Sequence, residues 1–237
     1  MEFATLQSLI RTIGFGGIIA SDLLALFWLV IYLYGTGFHE CILQEVPTYY
    51  KVWLSALVLG AFLFFPVTAW FQFPYFSGPL YIGLAIFLGG LLRESVKFTA
   101  AYLSLGFAPD EEPLSPLFYI FPGIMAGAGF AGMEGWVVLS AVITIPELTV
   151  STFILTLLQR FFVFSFQVTY PAIILYWWQR KKGRGALALF ISSVLSGAFY
   201  YLLPLPLQLE ALIIPGPFFF AVLLGLAAPL YLTRLLK

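Results

Sequence analysis

Five consecutive residues, Arg93-Glu94-Ser95-Val96-Lys97, carry three formal charges, while the stretches either side, Ile82 to Leu92 and Phe98 to Leu105, are compatible with a lipid-facing helix. Glu94 and Lys97 are three apart, so both can occupy one helix flank and pair locally. Arg93 and Lys97 are four apart and of like sign, which calls for another acid nearby. Asp22 and Glu134 are the acids available in other apolar segments, and Arg160 is a further cation of the same kind. An isolated charge at the centre of a bilayer costs several kcal/mol, so a shared and hydrated interior is the economical arrangement. Carboxylates held there can accept a proton, bind a cation, take a catalytic part or simply answer a cation.

Glu134 lies in Gly129-Phe130-Ala131-Gly132-Met133-Glu134-Gly135, where small residues let another backbone or a substrate approach. The glycines at 123, 127, 129, 132 and 135 serve close helix packing equally well. Gln167 follows Arg160 by seven positions on the same helical face and supplies a neutral donor and acceptor. Asp22 has a short stem suited to carrying a proton, binding a cation or pairing with a neighbouring span. The expected site joins Glu94 and Lys97 to Glu134, with Arg93 close by and Gln167 or Arg160 closing it from the fifth span. Glu147, beside Pro146, and Glu210 are boundary acids. His39, followed by Glu40, is the single histidine and falls in an expected loop; a Ser-His-Asp triad would have to borrow it from far away, and zinc-ligand spacings are absent. Cys41 is the single cysteine, which excludes an intrachain disulfide and a thiolate metal cluster within one chain.

The elements that carry these residues are apolar runs. The chain of 237 residues is 62% hydrophobic and 9% charged, against roughly 25% charged in a soluble domain, so a soluble fold would lack a surface to cover its core. Eleven basic and eleven acidic residues balance, which gives a nucleic-acid partner no electrostatic support. The runs predict seven spans at 12–34, 50–71, 77–104, 116–143, 149–178, 185–204 and 210–233. The expected fold is all-α, a polytopic membrane helix bundle of about seven transmembrane helices forming one transmembrane domain over residues 1–237. Met1 to Arg11 has no strongly basic region or cleavage pattern, so the first run reads as a retained span. Gly35 to Thr48, Gln72 to Gly78, Ala108 to Pro116, Pro146, Arg180 to Gly185 and Pro204 to Leu209 punctuate the spans. Trp70, Trp177 and Trp178 stand near span ends as interfacial anchors.

The order of the charged positions resembles the CAAX-protease superfamily, especially its PrsW-like branch. That branch carries EExxK in one membrane helix, FxxxE in the next and a histidine-bearing motif later. Here Arg93-Glu94-Ser95-Val96-Lys97 matches the first with arginine for the leading glutamate, and Phe130-Ala131-Gly132-Met133-Glu134 preserves the second. Phe166-Gln167-Val168 stands at the third with no histidine. The resemblance covers roughly residues 77–205 and implies a protease-like core there, with Glu94 and Glu134 inheriting the catalytic positions. The chain also distantly resembles the seven-span scaffold subunit of the gamma-secretase complex, which shares the fold and supports a partner protease.

Three functions follow as expectations. The first is a degenerate, non-proteolytic protein of this fold that binds a membrane helix, a lipid or a small polar ligand, needing no cofactor. An active intramembrane peptidase using Glu94 and Glu134, with a divalent metal, is the second. A transporter with Asp22, Glu94, Lys97 and Glu134 along an ion path is the third. The expected location is a prokaryotic cell membrane, with membrane lipid and a transmembrane protein as partners or substrate. Seven spans put Arg180, Lys181, Lys182 and Arg184 on the side of Arg234 and Lys237, and the positive-inside rule makes that side cytoplasmic and the N-terminus external. A reporter active only in the cytoplasm and fused after Lys237 is therefore expected to work, and one active only outside is expected to stay silent.

Overall fold

Between Arg160 and Arg180 the fifth run carries no charge, and a helix apolar on all sides belongs at the centre of a bundle. In a computed structural model, residues 16, 19–20, 22–27, 29–31, 38–70, 79–108, 118–143, 150–202 and 215–236 are described, and among them there are helices and no strands. The helices are α1 (Asp22–Ile31), α2 (Phe38–Trp70), α3 (Pro79–Ser104), α4 (Ile120–Ile143), α5 (Val150–Arg180), α6 (Lys182–Leu202) and α7 (Pro215–Leu236), with a 3-10 turn at Leu105–Phe107 after α3. Every residue of α5 from Val163 to Tyr176 is buried. Helices α3, α4, α6 and α7 all pack against it, and α2 lies outside against α3 and α4. Ala25 and Leu29 of α1 join Ile124, Ala128, Phe164 and Val168 in the largest apolar cluster.

Two boundaries differ from the sequence expectation. Helix α2 begins at Phe38, so most of the expected loop over 35–48 is helical; after Gly37, no glycine interrupts Phe38 to Val46. The expected basic loop shrinks to Lys181. Its amide bonds to the Trp177 carbonyl at 2.7 Å, its own carbonyl accepts from Arg184 and Gly185, and α5 therefore turns straight into α6. Proline opens both α3 and α7, where its missing N–H costs nothing. The connections at 72–78, 109–117, 144–149 and 203–214 lie outside the described residues, with Glu147 and Glu210; the side chains of His39, Cys41 and Trp70 do so too.

Five charged side chains are buried while large apolar ones face outward, and the exposed cations Arg180, Lys181, Lys182 and Arg184 gather at the α5–α6 corner. Arg93, Glu94, Lys97, Glu134 and Arg160 are buried, whereas Phe62, Phe27, Leu103, Leu187, Leu223 and Trp136 are each more than half exposed. Among the described residues one helical stretch, Leu157–Arg180, is long and apolar enough to cross a membrane by length and composition. The charged turn at Arg93 to Lys97 interrupts the apolar course of α3.

Small residues set how closely the helices approach. A Cβ on Gly90 would run into the Ser193 carbonyl of α6, and one on Gly197 into the Ile86 carbonyl of α3. The two glycines thus bring α3 and α6 together backbone to backbone. Gly83, on the same helix, has open space around its α-carbon. Gly90→Ala should therefore lower the thermal unfolding midpoint, with a cost of about 1–3 kcal/mol from overpacking. Gly83→Ala should leave that midpoint unchanged or raise it, by at most about 1 kcal/mol, through reduced freedom of the unfolded chain.

Candidate functional site

A carboxylate in the bundle interior needs side-chain donors, because its own backbone amides are already committed to helix bonds. Glu134 of α4 obtains them from two sides. Arg93 of α3 donates through Nη1 to Glu134 Oε1, and Gln167 of α5 donates through Nε2 to Oε2. Arg160, two turns before Gln167, sets its Nη1 at 3.6 Å from the same Oε2. The seven-residue spacing on α5 thus delivers a guanidinium and an amide to one carboxylate.

Arg160 links this carboxylate to α1. Its Nε donates to Asp22 Oδ1 at 3.0 Å and its Nη2 reaches Asp22 Oδ2 at 3.5 Å, a forked contact suited to the planar guanidinium. Nη2 also donates to the Ala131 carbonyl of α4. Gly135 makes room for the group: a Cβ there would sit 2.9 Å from Nη2 and 3.0 Å from Nε. Asp22, Arg160, Glu134 and Arg93 form an alternating series of anion and cation across four helices, and its formal charge sums to zero.

Glu94 and Lys97 form a separate unit. Lys97 Nζ donates to Glu94 Oε1 at 2.6 Å within one turn of α3, and neither side chain is more than 1% exposed. The ammonium also lies 5.6 Å from the centre of the Phe130 ring, in cation–π range. Lys97 therefore answers Glu94, and the cations on Glu134 are Arg93 and Arg160. All seven expected residues are in the interior, but as a four-member ion chain with an amide beside it and a local pair.

Of the five glycines around Glu134, those at 123, 127, 129 and 135 lie against neighbouring groups, and Gly132 faces open space. Tyr170, Ser193 and Ser196 are buried polar residues of α5 and α6 that sequence reasoning did not single out. Ser193 and Ser196 are three apart on one face of α6, a spacing the sequence shows, and the packing of α6 on α3 and α5 makes that face interior.

A divalent metal requires several lone pairs converging on one point. Glu134 faces two guanidiniums and an amide NH2, and Glu94 holds an ammonium at Oε1 while its buried Oε2 has no hydrogen-bond partner. The residues around them do not fit a metal. Among the described residues no three His, Cys, Asp or Glu side chains come together. What this arrangement does chemically is to hold four helices in register by charge. No family model, curated protein or solved structure matches the chain.

Removing one partner of a buried pair leaves an uncompensated charge, whereas removing both leaves apolar surface. Glu94→Ala and Lys97→Ala should each destabilise the fold by about 3–5 kcal/mol. The double variant Glu94→Leu with Lys97→Met should cost less than either single change, as measured by thermal unfolding of all three in one detergent.

Proposed function

We propose that this chain is an integral membrane protein with the core architecture of the CAAX-protease superfamily, working as a non-hydrolytic binder of membrane components. One observation carries the proposal: the two carboxylates at the catalytic positions, Glu94 and Glu134, are engaged by the chain's own Lys97, Arg93, Arg160 and Gln167. Arg93 stands where the resemblance expects a glutamate, and it turns a paired-acid site into an ion pair. Hydrolysis by a carboxylate base needs that carboxylate within reach of a water, and ion passage needs charges that a moving ion can meet. Here the charge of each acid is answered by cations of the same chain, which favours holding over either activity.

The membrane setting is supported by the distribution of polarity. Large apolar side chains cover much of the outside of the bundle while Arg93, Glu94, Lys97, Glu134 and Arg160 are buried, whereas a soluble monomer exposes only modest apolar patches. Helix α5, with 31 residues, is about 46 Å long, more than the hydrocarbon thickness. The hydroxyl of Tyr176 donates to the Leu235 carbonyl at 3.0 Å, so the end of α7 lies beside the basic α5–α6 corner. That neighbourhood agrees with the orientation in which the hairpin and the C-terminus share the cytoplasmic side.

The test is turnover of a fluorogenic transmembrane peptide by the purified protein in bicelles, with and without added divalent metal. No cleavage above background is expected under either condition. Cleavage by the native chain that vanishes in both folded Glu94→Ala and folded Glu134→Ala would overturn the proposal in favour of an intramembrane peptidase.

A further inference from the structure

Helices α6 and α7 touch little, and α5 forms the floor between them. The result is a groove of about 550 Å³, open along one side. Its walls are apolar: Ile173 of α5, Leu187, Ile191 and Leu195 of α6, and Leu224 and Ala227 of α7. Among the described residues, Arg184 is the single formally charged one that lines it. That guanidinium is exposed at the α5–α6 corner and lies 4.8 Å from the centre of the Trp177 ring, which also lines the groove. Arg180, Lys181 and Lys182 are exposed beside it.

We infer that this groove binds an anionic phospholipid of the surrounding bilayer, with an acyl tail between α6 and α7 and the phosphate at Arg184. The inference rests on the membrane setting proposed above. Charge complementarity selects the occupant: an apolar channel ends at a cluster of four cations, and a phospholipid joins a tail to an anion in that order. Such basic clusters at the cytoplasmic end of a span attract anionic headgroups. Trp177 and Tyr231, at the same end, are amphipathic rings suited to headgroup depth.

The test uses vesicles of phosphatidylcholine mixed with phosphatidylglycerol, from which the full chain is extracted and the lipid it retains is counted by native mass spectrometry. Phosphatidylglycerol is expected to be retained in preference to phosphatidylcholine. Arg184→Gln should lower its retention about fivefold, the equivalent of one surface cation. Ala227→Phe, at an exposed wall position, should reduce retention of both lipids by narrowing the channel. Equal retention of the two lipids by the native chain, or undiminished phosphatidylglycerol in both variants, would overturn the inference while leaving the membrane setting intact. Flotation of the chain with the vesicles separates the two ideas: a chain that stays behind in the dense fraction would overturn both.

Discussion

A charge withdrawn from water must meet an opposite charge, and in this bundle most of the opposite charges belong to other helices. Asp22, Arg160, Glu134 and Arg93 come from α1, α5, α4 and α3 and alternate in sign. Each interior member of the series touches two partners, so moving one helix breaks contacts on two others. Such networks are not strong net stabilisers, because the desolvation of each ion consumes much of the Coulomb gain. Their effect is on alternatives: a rotated or shifted helix would leave a bare guanidinium or carboxylate among Phe and Leu, and that penalty is several kcal/mol. The chain of charges therefore specifies an arrangement more than it deepens the energy of one.

Close packing and charge pairing reinforce one another along α4 and α5. Gly135 has no side chain where the Arg160 guanidinium must pass to reach Asp22 and the Ala131 carbonyl. Pro171 lies four residues after Gln167 and supplies no N–H for the Gln167 carbonyl, at the level where Gly127 lets α4 come against α5. Side chains on either helix at these points would hold the backbones apart, and the short side chains of Asp22 and Gln167 could not then reach. Ser165 adds a further link by donating to the Gly225 carbonyl of α7 at 2.9 Å.

Much of this architecture is legible in the amino-acid sequence because a helical apolar run is a local property. The third to seventh runs coincide with α3 to α7 to within a few residues, and the interior charges are conspicuous against their surroundings. The seven-residue step from Arg160 to Gln167 shows that the two share a face. Partner choice is not local. Whether Lys97 serves Glu94 or Glu134 depends on the rotation of α3 against α4, and the choice of Arg160 for Asp22 depends on where α1 docks. The early start of α2 and the one-residue corner at Lys181 were hidden for another reason: polar and basic residues suggest a loop, yet residues such as Glu, Gln, Lys and Arg are also good helix formers.

Arg93 is where fold and chemistry separate. A glutamate beside Glu94 would make a pair of adjacent acids that have to share protons, a cation or a water, and acids in that predicament are the ones enzymes use. An arginine at the same position reverses the electrostatics without changing the helix, since both residues are long, unbranched and good helix formers. Glu134 then faces a guanidinium in place of a second acid. Each oxygen of Glu134 accepts an N–H bond, Oε1 from the Arg93 guanidinium and Oε2 from the Gln167 amide. The acids of this bundle thus serve as members of ion pairs that hold its helices together.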